Sequence, residues 1–326
     1  MPANLPPQYF EAEKRLRSAK NPAEKIAVLE EMLAIMPKHK GTDHLRAELR
    51  RRIAKLTQAS EKKAATQRAS MVIEKEGAAQ VAVIGMPNSG KSQLVSRITN
   101  ASPAVADYPF TTHTATPGMM EFENIKIQLI DTPPLASQPV EFWLPHMLRR
   151  ADALLVVTDL SNAPLDQIET IISQLDSMRI DIGEKEAEDE QGRVLTRKKA
   201  LIIGNKIDLD NASQNYTTLH NKYGQQFPVI AVSAKDGVGL EELKPKIYHM
   251  LDIIRVYTKA PGQKPDFTTP IVLSRGSTLE DAAAEVHKDF RAKLKYARLW
   301  GSGKHDGIMV KRDHILQDGD VIELHM

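Results

Sequence analysis

Four short stretches carry residue types that could do chemistry together. The first, Gly85-x-x-x-x-Gly90-Lys91-Ser92 within "VAVIGMPNSGKS", closes an apolar run and opens the helix-like "QLVSRITN". That spacing suits a phosphate: bare backbone N–H groups wrap an anion at a helix N-terminus, a lysine reaches its outer oxygens and a hydroxyl meets a divalent ion. Asn88, Ser89, Gly90, Lys91, Ser92 and Gln93 are the expected contacts. The second stretch, "IQLIDTPPLAS", drives an apolar run into Asp131 and then meets Pro133 and Pro134, neither of which has an N–H to offer. The third, "NKID", spans Asn205, Lys206 and Asp208 at the end of another β-rich run. A carboxylate at Asp208 can accept from both N1–H and the exocyclic amine of guanine, whereas adenine would face it with a lone pair at N1. The fourth, "VSAK", with Ser233, Ala234 and Lys235, suits a loop presenting backbone to the guanine O6.

These stretches need a scaffold, and the composition allows one. With 326 residues, 41% of them hydrophobic, the chain can bury a substantial core in two or three domains. The absence of cysteine excludes disulfides, thiolate metal sites and cysteine nucleophiles, and leans towards a reducing compartment. The N-terminus lacks an apolar core after a basic start, and no segment reaches the roughly eighteen apolar residues of a membrane span. A cytoplasmic setting is expected. The formal net charge of +2 requires any nucleic-acid footprint to be local.

Residues 8–58 read as helical. Ile26, Leu29, Met32 and Leu33 form one stripe, with Asn21 as an N-cap before Pro22, and Leu45, Leu49, Ile53 and Leu56 form another. Residues 1–77 are thus expected to be a basic helical region built on a hairpin. From Gln80 the pattern changes to "VAVIG", "IKIQLID", "ALLVVTD", "KALIIGNKID" and "FPVIAVSAK", alternating with helical runs. Strands apolar on both faces argue a parallel sheet covered on both sides, so residues 78–255 read as one α/β domain. "TKAPGQKP" reads as a linker, and residues 256–326 as a small α+β domain in which Ser277-x-x-Glu280 looks like a capping box. His287, His305 and His314 show no metal-ligand spacing.

Taken together the motifs resemble the Ras-like translational GTPases. Within "ADYPFTTHTATPG" the likeness narrows to the first switch of the Obg and developmentally regulated GTP-binding proteins. "DFTTPIVLSRGSTLEDAAAEVHK" and "YARLWGSGKHDG" resemble a TGS domain, a ubiquitin-like β-grasp module. The resemblance implies a Ras-like P-loop GTPase with a mainly parallel sheet, preceded by the helical hairpin and followed by the β-grasp domain. It implies GTP and GDP as ligands, Mg2+ held by Ser92, Thr112 and, through water, Asp131, and Lys91 on the outer phosphates. The implied partner is the ribosome or its RNA. Arg46, Arg50, Arg51, Arg52 and Lys55, with Lys38, Lys40, Lys62 and Lys63, outnumber the acids across residues 37–63 and could neutralise phosphates; a solvated helix face explains them equally well. In the TGS segment Lys288, Arg291, Lys293, Lys295 and Arg298 lead to Trp300 and Lys304, where the indole could stack on a base or sit in the core.

Three departures qualify the likeness. Residues 176–200 leave room only for a charged loop or small hairpin where the developmentally regulated proteins carry an inserted domain, and the Gly-rich N-terminal domain of Obg is absent. The family pattern Asp-x-Pro-Gly is here Asp131-Thr132-Pro133-Pro134, so the amide that would meet the γ-phosphate is missing and phosphate sensing should weaken or pass to Thr112. Leu135 stands where Ras-like enzymes carry a water-orienting glutamine, so hydrolysis should be slow. Relatives with an apolar residue there often use K+ bound by a P-loop asparagine, and Asn88 matches that position. The expected activity is slow GTP hydrolysis in a nucleotide switch. The alternative is a GTP-bound scaffold or regulator whose TGS domain binds a protein or alarmone.

Overall fold

The computed structural model describes residues 6–18, 22–37, 42–70, 73–99, 115–135, 141–182, 195–303 and 305–325. The chain divides into two compact units, Met1–Val72 and Ile73–Met326.

The first unit is three helices, α1 (Pro7–Ser18), α2 (Pro22–Ile35) and α3 (Asp43–Ser70), rather than a two-helix hairpin. Tyr9 and Ala12 of α1 join Leu29, Met32, Met36 and Leu49 in one small core. The stripes on α2 and α3 supply that core, except Ile26, which stays half-buried outside it. Beyond Leu56 the apolar period fades, yet α3 continues to Ser70. Its last turns are rich in Ala, Lys, Glu and Gln, strong helix formers that need no buried face. One basic residue is committed inside this unit. Arg46 donates to the Leu33 and Met36 carbonyls at 3.4 and 2.9 Å, satisfying acceptors left open at the end of α2. Arg52 pairs with Glu48 one turn earlier at 2.8 Å. Arg50, Arg51 and Lys55 are exposed. Asn21, Lys38, Lys40 and the side chains of Lys62 and Lys63 lie outside the described residues.

The second unit opens with β1 (Ala79–Gly85), α4 (Lys91–Ile98), β2 (Thr116–Phe122), β3 (Ile125–Asp131), α5 (Leu144–Arg150), β4 (Ala153–Asp159) and α6 (Pro164–Ser177). It continues through β5 (Ile180–Asp181), β6 (Thr196–Arg197), β7 (Lys199–Asn205), α7 (Ala212–Tyr223), β8 (Val229–Val232) and α8 (Leu240–Leu251). Six of these strands form one sheet in the order β2-β3-β1-β4-β7-β8, with only β2 antiparallel to its neighbour. Every residue of β1 is buried because both faces are covered. Val81 and Val83 face the cluster built from Leu94 and Val95 of α4 and Leu243 and Ile247 of α8. Ala82 and Ile84 point the other way, equally buried, and α6 packs against β4. Between α6 and β7, β5 pairs with β6 in parallel, so this segment is not a hairpin; residues 183–194 lie outside the described residues.

The remaining elements are β9 (Ile253–Thr258), β10 (Asp266–Ser274), α9 (Leu279–Val286), α10 (Lys288–Lys293), β11 (Tyr296–Trp300), β12 (Ile308–Val310) and β13 (Val321–His325). The strands form a mixed sheet ordered β10-β9-β13-β11-β12, with α9 packed on it through Leu279, Ala282 and Ala283. The Pro/Gly stretch after Thr258 therefore joins two antiparallel strands of this sheet and links no domains. The capping box is shifted by one residue: Thr278 is the N-cap and exchanges bonds with Asp281. Ser277 is occupied elsewhere, its carbonyl accepting the Leu316 amide at 3.0 Å.

The two sheets meet at the β2–β3 turn. Arg255 on β9 pairs with Asp318 at 2.8 Å and with Glu123 of the turn, and lies 5.1 Å from the Tyr248 ring. Asn124 donates to the Tyr257 hydroxyl at 2.6 Å and to the Phe267 carbonyl at 3.0 Å.

Candidate nucleotide site

The carboxyl ends of β1, β3, β4, β7 and β8 lie along one edge of the larger sheet, and the loops that leave them hold nearly every residue singled out from sequence. In a parallel sheet this edge is where helix N-termini converge and anions bind.

After Gly85 the chain turns through Asn88, at φ 61°, and Gly90, at φ 86°, into α4. Asparagine tolerates the left-handed region and glycine favours it. A Cβ on Gly85 would sit 2.4 Å from the Val157 carbonyl oxygen, and one on Gly90 would sit 2.3 Å from Asn205 Nδ2. Both glycines are thus required by close backbone approach, the shape of a phosphate cradle. Asn88 and Gln93 are exposed, Ser89 is fully buried, and Lys91, the first residue of α4, is 6% exposed.

Ser92 Oγ donates to Asp131 Oδ2 at 2.5 Å, joining the phosphate loop to the end of β3. Burial raises the Asp131 carboxyl above its ordinary range, against the lowering effects of Ser92 and Lys91. Burial likewise lowers Lys91, opposed by Asp131. Ser89 Oγ and Asp131 Oδ1 are buried with no hydrogen-bond partner among the described residues. A hydroxyl and a carboxylate, with an orphaned carboxylate oxygen beside a buried lysine, fit a hard divalent cation and a phosphate. Thr112 lies outside the described residues.

The segment after Asp131 is tied down. The Thr132 amide and hydroxyl donate to the Val83 carbonyl at 3.3 and 2.8 Å, and the Leu135 amide donates to the Gly85 carbonyl at 3.2 Å. Pro133 and Pro134 have no amide. Leu135 is 1% exposed, a core residue rather than a side chain at the mouth of the site.

Asn205 binds the loops together. Its Nδ2 donates to the Ser89 carbonyl at 2.8 Å, and its Oδ1 accepts the Ala234 amide at 3.0 Å. That amide is therefore already engaged. Ser233 is fully buried, and its hydroxyl accepts the Asp236 amide at 3.1 Å. Arg97 of α4 donates to the Lys235 carbonyl at 2.7 Å. Asp208 is exposed, with no hydrogen bond among the described residues, and its carboxylate is free to accept. Lys206, at φ 67°, reaches Asp159 Oδ2 at 2.5 Å. Burial works against ionising Asp159, but Lys206 and Ser161 outweigh it and hold the carboxyl below its ordinary range.

Thr132, Arg97 and Asp159 were not singled out from sequence. Asp159 had a signal: "ALLVVTD" ends an apolar strand on a carboxylate, as "IKIQLID" does. In the smaller sheet Trp300 is half-buried with Lys259 Nζ 4.2 Å from its ring centroid, so one indole face is already covered. Arg291 pairs with Glu280 at 3.1 Å. Lys293, Lys295 and Arg298 are exposed, and the Lys288 side chain and Lys304 lie outside the described residues.

The larger sheet and its loops define a P-loop nucleotide-binding protein. The chain matches the family described as 50S ribosome-binding GTPase over residues 80–206 and the TGS domain over residues 254–326. An uncharacterised GTP-binding protein of Methanocaldococcus jannaschii is 31% identical over 361 aligned residues, covering 92% of this chain and 92% of the relative. A developmentally-regulated GTP-binding protein 2 homolog of Dictyostelium discoideum is 27% identical, covering 92% and 98%. The YchF GTPase of Schizosaccharomyces pombe superposes with a TM-score of 0.53 at 12% identity, over 77% of this chain and 99% of that one, a likeness of fold alone. The chain belongs to the family of GTP-binding proteins that join a translation-associated GTPase domain to a C-terminal TGS domain. No described helix is long and apolar enough to cross a membrane.

Proposed function

We propose that this chain is a slow GTPase acting as a nucleotide switch on the ribosome or its RNA, a shorter relative of the developmentally regulated branch. Lys91 holds the outer phosphates, Ser92 and Thr112 are the direct ligands for Mg2+ with Asp131 behind them, and Asp208 reads guanine. Bound there, Mg2+ would bridge the phosphates and offset their charge.

One observation supports the slow rate: between Thr132 and Leu135 every amide is either absent or bonded to β1, and Leu135 is core. This stretch offers nothing to orient an attacking water or to register the γ-phosphate. The same observation favours a second reading, a GTP-bound scaffold that scarcely turns over. Asn88, exposed at the turn, is the side chain through which K+ would add positive charge near the leaving oxygen. RNA contact rests on Arg50, Arg51 and Lys55, since Arg46 caps α2 and Arg52 is paired.

The test is single-turnover GTP hydrolysis in KCl and in NaCl, with and without ribosomal subunits. The switch reading expects a faster rate in KCl and a further rise with subunits. Asn88→Gly, which keeps the left-handed turn, should erase the cation preference. A rate indistinguishable from buffer under all four conditions would select the scaffold.

A further inference from the structure

The guanine-reading turn is held from outside by a residue that contacts no part of "NKID" in sequence. Asp159 ends β4, directly beside Asn205 in the parallel register of β4 and β7. Four bonds fix it. Its Oδ1 accepts the Ser161 amide at 2.9 Å and the Ser161 hydroxyl at 2.6 Å. Its own amide donates to Gln167 Oε1 at 3.0 Å, and its carbonyl accepts Gln167 Nε2 at 3.2 Å. A carboxylate clamped on backbone and side chain alike cannot follow a mobile partner, so the partner follows it. The free oxygen, Oδ2, takes the Lys206 ammonium at 2.5 Å. Lys206 sits at φ 67°, a conformation that costs a branched-at-Cβ-free but non-glycine residue free energy and persists where surroundings impose it. Two residues further on, Asp208 presents its exposed carboxylate.

We propose that Asp159 is a positioning residue for guanine recognition, anchoring Lys206 so that the turn from Asn205 to Asp208 is preorganised before nucleotide arrives. The proposal rests on the guanine reading of Asp208 and deepens it. A preorganised turn loses little freedom on binding, and that saving is returned as affinity for the base and not for the phosphates. Asp159 and Lys206 act as one unit, so removing either releases the turn and removing both releases it no further.

The test is a double-mutant cycle on the full chain with Asp159→Asn, near-isosteric, and Lys206→Met, which keeps the stem and removes the ammonium. Affinity for GDP is measured by calorimetry, with magnesium tripolyphosphate as a probe that meets the phosphate loop alone. Each single variant is expected to weaken GDP about tenfold, the double variant by the same factor, and tripolyphosphate binding to be unchanged. Additive losses, an unchanged GDP affinity, or equal losses for both probes would overturn the proposal while leaving the guanine reading intact. A wild-type chain that takes up tripolyphosphate but no GDP would overturn both.

Discussion

The Leu135 amide donates to the Gly85 carbonyl at 3.2 Å, fastening the segment after the metal-site strand to the first residue of the phosphate loop. With Thr132 bound to Val83 and two prolines between, no amide in this run is left for a phosphate. Pro134→Gly would restore one N–H without removing the Leu135 anchor. GTP affinity relative to GDP should rise, by at most about 1.5–3 kcal/mol for a new hydrogen bond to a charged group. Competition titration of the two nucleotides checks it, and an unchanged ratio would mean that the γ-phosphate is registered elsewhere.

Leu135 also answers whether a glutamine could be restored here. By position in the chain it replaces a water-orienting residue, but by burial it is core. Leu135→Gln should therefore leave hydrolysis no faster and cost about 1–3 kcal/mol of stability by burying an unpaired amide. A faster single-turnover rate at unchanged urea midpoint would contradict the burial argument.

Asp131 is a carboxyl whose ionisation the fold resists, since burial raises it. Raised in the folded state, it penalises folding as pH climbs past the ordinary carboxyl value, and the penalty is complete above the raised one. At neutral pH, Asp131→Asn should stabilise the nucleotide-free chain, by about 2–4 °C in melting temperature per kcal/mol gained in a domain of this size. The same change should abolish the Mg2+-dependent part of GDP affinity. A variant that melts lower and still responds to Mg2+ would show that Asp131 is a structural cap.

Asp318 behaves oppositely. Burial would raise its carboxyl, but Arg255 and the Tyr248 hydroxyl outweigh that and hold it at about 2. A depressed carboxyl contributes stability above its unfolded value, near 3.9, and loses it as pH falls towards the folded one. Asp318→Asn should cost about 1–2 kcal/mol at neutral pH, partial solvent access keeping it below the fully buried case. It should also flatten the stability curve between about pH 4 and pH 2. Urea denaturation across that range is the measurement, and parallel curves for variant and wild type would exclude the pair as a pH-dependent brace.

Much of the site was legible because it sits at strand ends. An apolar run terminating in Gly85, Asp131 or Asn205 is a local pattern, and parallel-sheet topology brings such termini to one edge whatever the intervening loops do. What escaped were the bonds between loops. Asp159 and Lys206 are separated by 47 positions, and only the register of β4 against β7 makes them neighbours. Leu135 escaped for another reason, because alignment by position carries no information on where an amide points. The capping box slipped by one residue because Ser277 and Thr278 both precede an acid at the right interval, and only the bond from Leu316 to Ser277 separates them. The stretch "TKAPGQKP" shows the same limit, since proline and glycine mark a reversal without saying whether a strand or a domain follows.

That reversal has a mechanical consequence. Because residues 259–265 close a hairpin within the β-grasp sheet, they cannot serve as the pivot about which the TGS module swings. The module is gripped instead through Glu123 and Asn124, at the far tip of the two-stranded ribbon whose near tip is Asp131. Seven residues of strand, about 20 Å, separate the grip from the metal ligand. A tug exerted on the module by whatever it docks against would travel down that ribbon like a pull on a bell wire.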